Sequence, residues 1–301
     1  MLTKNKLNLI GKFLLFTATI IWGSSFIILK NSLDDFPMYL LLCFRFLIGG
    51  ILFGLVFIKK VLKTNKRTLF QGMFLGVILA VAYIVQTYGL VISNSASKNA
   101  FLTASYCVLV PFLAWGIFRK KPNLFNVISG IICIVGIGFV SLSQNLSINI
   151  GDALSFSCGI FFGLQIIFAD KFLKETEPIS MLAFQLLTAG IVFGIISLFV
   201  ETKIYSDISI TLNTLFPVIY LTIAATCLAQ LLQIYGQKYT SPSEASIILS
   251  LESVFGVIFA MIVDGEKLTL KLSIGFVLIF IAIIINETKL DFLKRGRSTN
   301  D

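Results

Sequence analysis

An acidic residue within an apolar segment has the clearest potential for chemistry in this chain. Glu252 lies in the segment at about residues 243–263, and no other acid is near the middle of such a segment. A charge at the centre of a bilayer costs about 2.5 to 3.5 kcal/mol on insertion scales unless it is neutralised, paired or hydrated. Glu252 is therefore a candidate for carrying a coupling proton. The alternatives are a structural carboxyl bonded to neighbouring hydroxyls and a direct contact with a bound solute.

One basic residue, Arg45, also lies within an apolar segment, at about residues 37–58. It is a candidate ion-pair partner for Glu252, because breaking up two opposite charges in a dry interior leaves each uncompensated. Arg45 is nearer to one end of its segment, so this pair requires a helix arrangement that brings the two side chains together.

Further polar and amphipathic side chains recur within the apolar segments, where each needs a partner away from water. Packing or interhelical hydrogen bonding would explain any one of them alone. Their grouping on corresponding segments of the two halves favours a shared central cavity. The candidate cavity residues are Trp22, Ser25, Tyr83, Gln86, Asn99, Tyr106, Gln165, Gln230 and Gln233.

The composition excludes several other kinds of chemistry. The chain has no histidine, and its five cysteines all lie in apolar segments at spacings that match no metal-binding pattern. Zinc sites and histidine acid–base catalysis therefore lack their usual parts. We expect no metal, no cofactor and no enzymatic activity.

The elements that must position these residues are membrane helices. Mean hydropathy is +0.94, and 57% of the residues are apolar while 13% are charged, which is unlike a soluble domain. Each apolar segment is long enough, or nearly so, to cross about 30 Å of hydrocarbon. The segments lie at about residues 12–30, 37–58, 69–91, 98–118, 124–142, 151–169, 179–200, 213–235, 243–263 and 271–286. We predict an all-α integral membrane protein with ten transmembrane helices.

The net charge of +9 follows the predicted topology. Most of the Lys and Arg residues lie in connections that share one side, which the positive-inside rule assigns to the cytoplasm. We therefore predict a cytoplasmic (inner) membrane protein with both termini in the cytoplasm. The basic residues are not interpreted as a nucleic-acid surface.

The two halves of the chain resemble each other. The segment Arg45–Gly54 returns as Gln185–Gly194, and Gln86–Gly89 returns as Gln233–Gly236. Because five crossings are an odd number, the second half enters the membrane in the opposite direction, which predicts inverted repeats at residues 1–145 and 146–301. The repeated glycines favour close helix packing; they are Gly50, Gly54, Gly190 and Gly194.

With these motifs in hand, the sequence resembles the drug/metabolite transporter superfamily, and within it the ten-span EamA-type members, over nearly the whole chain. Two departures are Ser253, where relatives often have Pro, and Arg119-Lys120, where many carry a Gly-Glu pair. The resemblance is carried by Trp22–Phe26 with Lys30, Arg45-Phe46, Ala96–Tyr106 up to Pro111, Arg119–Lys121, Gly151-Asp152, Leu251–Val254 and Gly265–Thr269.

The resemblance implies a secondary active transporter that exports small metabolites, such as amino acids or amphipathic compounds, by alternating access. Coupling to protons would use Glu252. The expected partners are a small-molecule substrate and the lipid bilayer, with the chain acting as a monomer or homodimer. The alternatives are a lipid or lipid-linked sugar translocase, an integral membrane enzyme acting on a lipid, and a membrane scaffold that transports nothing.

Overall fold

The structure, a computed structural model, describes residues 4–119, 121–141, 149–173, 175–208, 211–240 and 242–288. Within these ranges the regular structure is entirely helical and includes no strand. Short helices at Ile58–Val61 and Thr202–Asp207 follow the second and seventh long segments. The long segments are α1 (Lys4–Ser32), α2 (Met38–Cys43, Phe44–Ile48 and Gly49–Val56), α3 (Lys66–Ser93), α4 (Ala96–Ala104 and Tyr106–Phe118), α5 (Leu124–Ser141), α6 (Ile150–Leu173), α7 (Pro178–Val200), α8 (Leu212–Ile219, Tyr220–Leu228 and Ala229–Tyr239), α9 (Pro242–Val263) and α10 (Leu270–Thr288).

Apolar length supports a membrane location. In the described chain, seven helices (α1 to α4 and α6 to α8) are long and apolar enough to cross a bilayer. The apolar parts of α5, α9 and α10 are shorter, at Leu124–Val140, Ile248–Val263 and Leu270–Asn286. The prediction of an all-α membrane fold is confirmed, and the count of ten crossings stays a prediction. Large apolar side chains such as Phe199, which is 85% exposed, form a surface suited to lipid.

The principal helix contacts keep their pattern when the two halves of the chain are exchanged. The α3–α6 contact corresponds to α8–α1, and the α1–α9 contact corresponds to α6–α4. The α2–α7 and α5–α10 contacts map onto themselves. Two copies of one five-helix unit would produce this arrangement. The predicted boundary between residues 145 and 146 lies outside the described residues.

Glycines make the α2–α7 contact reciprocal. A Cβ added to Gly50 would lie 2.8 Å from the backbone nitrogen of Leu187. A Cβ added to Gly190 would lie 2.5 Å from the Cα of Leu47. Gly50 and Gly190 are the repeated pair, and Leu47 and Leu187 are the residues that precede them by three. The contact therefore has two-fold character, with each glycine receiving the backbone of the other helix.

The other two glycines of the predicted packing faces behave differently. A Cβ on Gly194 would lie 3.1 Å from the Cys43 sulfur. A Cβ on Gly54 would meet no atom within 4 Å, so Gly54 makes no close helix contact.

Three helices depart from regular α-geometry at the centre of the fold. In α2 the stretch Phe44–Ile48 is π-helical, and in α8 the π-helical stretch is Tyr220–Leu228. Pro217 lies just before the second stretch and removes a backbone donor from the ladder. α4 is interrupted at Ser105. Such irregularities redirect side chains and free carbonyl groups, and π-bulges are frequent at functional sites.

We predict that Gly190→Ala destabilises the protein by about 1 to 3 kcal/mol, because the added methyl group meets backbone atoms that cannot move independently. Thermal unfolding in detergent measures the change. The matched control is Gly54→Ala, which adds the same group to open space and should leave the melting temperature unchanged or raise it. Equal effects of the two substitutions would contradict the α2–α7 contact.

Candidate functional site

Arg45 is a fully buried cation held by neutral groups. Its side chain extends from the π-helical part of α2, and the residue is 2% exposed. The guanidinium Nε donates to Thr226 Oγ1 at 2.8 Å, and Nη2 donates to the Tyr83 hydroxyl at 3.3 Å. Its central carbon also lies 4.9 Å from the Tyr83 ring centroid and 5.3 Å from that of Phe46. Hydrogen bonds and cation–π contacts thus replace part of its hydration.

The π-helical part of α8 supplies the partner groups for two other helices. Thr226, which bonds Arg45, lies in this stretch and donates its hydroxyl to the carbonyl of Leu221 at 2.9 Å. The neighbouring carbonyl of Ala225 accepts the indole N–H of Trp22 at 2.9 Å. The irregular stretch in α8 therefore ties α1 and α2 to the centre of the bundle.

Glu252 is a buried carboxylate on α9 with a neutral partner. The residue is 7% exposed, and its Oε1 accepts a hydrogen bond from the Tyr106 hydroxyl at 3.3 Å. Tyr106 is the first residue of α4 after the interruption at Ser105. The interruption of α4 therefore comes directly before the residue that bonds Glu252.

An aromatic group connects the two charged residues. The Phe162 ring of α6 lies 5.5 Å from the Tyr83 ring and 6.4 Å from the Tyr106 ring, measured between centroids. Tyr83 is within electrostatic range of both Arg45 and Glu252. We call these five residues, Arg45, Tyr83, Tyr106, Phe162 and Glu252, the central cluster.

The candidate ion pair between Arg45 and Glu252 is not formed. Within the described chain, no oxygen of Glu252 lies within 4.0 Å of the guanidinium. The physical reason is that Arg45 is held by Thr226 and Tyr83, while Glu252 is held by Tyr106. The cluster therefore holds a basic and an acidic side chain that do not pair with each other.

Two predicted cavity residues serve in a hydrogen-bonded layer beside the cluster. The Asn99 amide donates to the Gln86 carbonyl at 3.0 Å and to the Ser155 hydroxyl at 2.7 Å. The Gln86 amide donates to Thr103 Oγ1 at 3.1 Å. This layer joins α3, α4 and α6. The Asn99 Oδ1 is buried and accepts no hydrogen bond from any residue that the structure describes.

The other predicted cavity residues are not drawn into the central cluster. Ser25 is buried and donates to the carbonyl of Trp22 in its own helix at 2.7 Å. Gln165, Gln230 and Gln233 are half-buried and make no hydrogen bond with the described residues.

Thr226 and Phe162 belong to the site but were not among the predicted residues. Thr226 was detectable as a polar residue in an apolar segment that also contains a proline. Phe162 gave no sequence signal, since phenylalanine is abundant throughout the chain.

At one end of the bundle, acids of the second half meet basic residues of the first half. Lys30 lies 2.5 Å from Asp264 Oδ2, and Asn31 donates to its Oδ1 at 3.0 Å. Lys98 lies 3.0 Å from Asp152, whose side chain is fully buried. Burial acts to raise the pKa of Asp264, but the hydrogen bonds from Lys30 and Asn31 hold it below its ordinary value. Asp264 therefore stays ionised at neutral pH.

Two more acids of the second half cap first-half helices at the same end. Glu201 accepts hydrogen bonds from the backbone N–H groups of Tyr39 and Leu40, each at 2.9 Å, at the start of α2. Glu266 accepts one from the Ala96 N–H at 2.9 Å at the start of α4, and bonds the neighbouring serine hydroxyls. Carboxylates at helix N-termini are favourable, because backbone donors there are otherwise unsatisfied. We call the contacts of Asp152, Glu201, Asp264 and Glu266 the seam.

Contacts between the halves at the opposite end are more exposed. Lys60 pairs with Glu177 at 2.9 Å, and Arg67 pairs with Glu175. All four side chains are more than 40% exposed, so these ion pairs contribute little to stability. Across the described residues, no group of three or more His, Cys, Asp or Glu side chains could hold a metal ion.

Long apolar helices around a buried polar centre define a multi-pass membrane protein. The sequence matches the EamA-like transporter family over residues 9–142 and again over residues 149–288. The chain belongs to this family and is a membrane transporter.

The relatives support the same assignment. An uncharacterized transporter of Archaeoglobus fulgidus is 32% identical over 88% of this chain and 82% of its own length. The uncharacterized transporter YoaV of Bacillus subtilis is 22% identical, covering 90% of this chain and 94% of its own. The uncharacterized inner membrane transporter YedA of Escherichia coli K12 is 23% identical, covering 91% and 90%. A solved crystal structure aligns with a TM-score of 0.69 over 97% of this chain and 99% of its own at 15% identity, and shows the fold alone.

We predict that Glu252→Gln raises the melting temperature in detergent. A buried carboxylate with a single neutral partner is costly, and the amide removes the charge while keeping the shape, a gain of about 1 to 3 kcal/mol. The matched comparison is Glu201→Gln, which disturbs a carboxylate bonded to two backbone N–H groups and should lose about 1 to 3 kcal/mol. A loss of stability in both variants would make Glu252 a structural carboxyl.

Proposed function

We propose that this protein is a secondary active transporter that exports small zwitterionic metabolites, above all α-amino acids, by proton-coupled alternating access. The observation that carries the proposal is the separation of Arg45 and Glu252. Each is buried, and each is held only by neutral groups. Like the seam, the site contains both basic and acidic side chains. Unlike those of the seam, they do not pair with each other.

The two charges of an α-amino acid complement this separation. Its carboxylate matches the guanidinium of Arg45, since arginine presents several donors in a planar fork. Its ammonium group matches the carboxylate of Glu252. The rings of Tyr83 and Tyr106, which bond the two groups, and of Phe162 beside them provide an aromatic surface that suits an apolar side chain. Binding would therefore compensate two charges that the protein leaves separate.

Glu252 also suits the coupling of transport to protons. A carboxylate out of water is neutralised at lower cost by a proton or by a cationic ligand than by remaining charged. Competition between a proton and the substrate ammonium for Glu252 would exchange one for the other during each cycle. Export is then driven by protons that enter from outside.

Alternating access is supported by the unequal ends of the bundle. The seam closes the end predicted to face outward through the buried Asp152 and Glu201, the half-buried Glu266 and the exposed Asp264. The contacts at the end predicted to be cytoplasmic are exposed ion pairs. With two similar halves in opposite orientation, a rocking motion would open the seam and close the other end. The excess of Lys and Arg in the connections predicted to share one side supports a location in the cytoplasmic membrane with both termini inside.

Counterflow in proteoliposomes tests the proposal. The library contains α-amino acids, the matching amines without a carboxylate, and N-acetylated amino acids without a cationic nitrogen, each followed by mass spectrometry with and without a pH gradient. We expect movement of one or more free amino acids, driven by the gradient, and at least about tenfold less movement of both derivatives.

The variant Glu252→Gln should lose the response to the gradient, and Asp35→Asn, which neutralises an exposed acid, should keep it. Gradient-independent movement that Glu252→Gln preserves would contradict proton coupling. Movement of the amines or of the acetylated compounds at the rate of the free amino acids would contradict recognition by both charges.

A further inference from the structure

A cleft of about 370 Å³ opens at the cytoplasmic end of the bundle, away from the central cluster. It lies between the short helix Ile58–Val61, the start of α3, the α6–α7 connection and the start of α7. The residues on which the argument depends are Lys59, Lys60, Lys63, Thr68, Glu177 and Ser180. The cleft joins the two halves of the chain, since the first four residues belong to the first half and the last two to the second.

The cleft has positive charge in excess. Both acids that line the cleft already form ion pairs. Glu177 pairs with Lys60, and Glu175 pairs with Arg67, which does not line the cleft. Burial acts to raise the pKa of Glu177, but the Ser180 N–H and Lys60 hold it below its ordinary value, so this acid remains charged and paired. Lys59 and Lys63 form no ion pair with a described residue. Two cations therefore face the cleft without a counter-charge from the described residues.

Two helices begin at this cleft. The first turn of α3 is capped by Asn65, which accepts from the Thr68 N–H at 2.8 Å. The first turn of α7 is capped by Glu177, which accepts from the Ser180 N–H at 2.7 Å. Because the cap of α3 is neutral, the positive end of its dipole adds to the attraction for an anion, whereas that of α7 is already compensated by the Glu177 carboxylate.

The start of α7 can be compared with the start of α2, the corresponding position at the other end of the bundle. When Gly50 is aligned with Gly190, the start of α2 corresponds to the start of α7, and Glu201 corresponds to Val61. At the start of α2, the Glu201 carboxylate accepts from two backbone N–H groups. At the start of α7, the residue that corresponds to Glu201 is Val61. It is apolar, and its neighbours in the sequence include several lysines. At this end the cap of α7 is Glu177, which pairs with Lys60, and Lys59 and Lys63 remain without an acidic partner among the described residues.

The surroundings of the cleft match a phospholipid. The face of α2 and of its following short helix carries apolar side chains that point away from the bundle. Among them Leu55, Val56 and Leu62 are 61%, 74% and 78% exposed. Acyl chains would cover this face while a headgroup reaches the lysines, as juxtamembrane basic clusters do with anionic lipids. We propose that this cleft binds the phosphate of an anionic phospholipid between Lys59, Lys63 and the starts of α3 and α7.

Native mass spectrometry of the full-length protein tests the assignment. The protein is released from mixed vesicles of phosphatidylglycerol and phosphatidylcholine, and retained lipids are counted. We expect selective retention of phosphatidylglycerol, reduced about tenfold in the double variant Lys59→Gln/Lys63→Gln. Because neither lysine makes an ion pair, the double variant should keep the melting temperature of the wild type.

The matched control is Arg119→Gln/Lys121→Gln, which removes the same charge from another exposed basic loop predicted on the same side. It should retain phosphatidylglycerol as the wild type does. An equal loss in both double variants would overturn the proposal, since basic charge alone would then explain the binding. So would equal retention of the two lipids, or displacement of all bound lipid by inorganic phosphate alone.

Discussion

The cost of keeping charge out of water is the constraint on which this structure depends. Acids and bases at the seam meet that cost by pairing across the two halves or by capping helices. At the centre the same solution was available, since Arg45 and Glu252 have opposite charge, but the protein keeps them apart. Hydroxyl and aromatic groups hold each one instead. If Arg45 and Glu252 served only to stabilise the fold, pairing them or replacing both with apolar residues would make the folded state more stable.

Irregular helices make this separation feasible. The π-helical stretches of α2 and α8 bring Arg45 to Thr226, and the interruption of α4 at Ser105 precedes Tyr106. Regular helices at these places would keep their backbone groups in the ladder and leave fewer acceptors for side chains. The glycines at the α2–α7 and α3–α6 contacts allow the surrounding helices to approach closely, so the irregular regions are enclosed by tight packing.

The sequence predicted the all-helical membrane fold because apolar length is read directly from residue type. It also identified Arg45, Tyr83, Tyr106 and Glu252, since a polar residue inside an apolar segment is conspicuous. It did not predict how they associate. Pairing of Arg45 with Glu252 was one candidate among several. Helix rotation and the two π-helical stretches place other partners nearer, and neither is visible in a hydropathy pattern. Phe162 was missed because one phenylalanine among 29 carries no signal of its own.

The central claim is that the two halves separate at the seam to expose the central cluster. Spin-label distances between positions 35 and 267 across the seam, and between positions 63 and 175 at the opposite end, test it most directly. Adding a transported solute, or substituting Glu266→Gln to remove a charge from the seam, should create a longer distance across the seam and a shorter one at the opposite end. Distances that stay unchanged at both ends under both conditions would contradict the account.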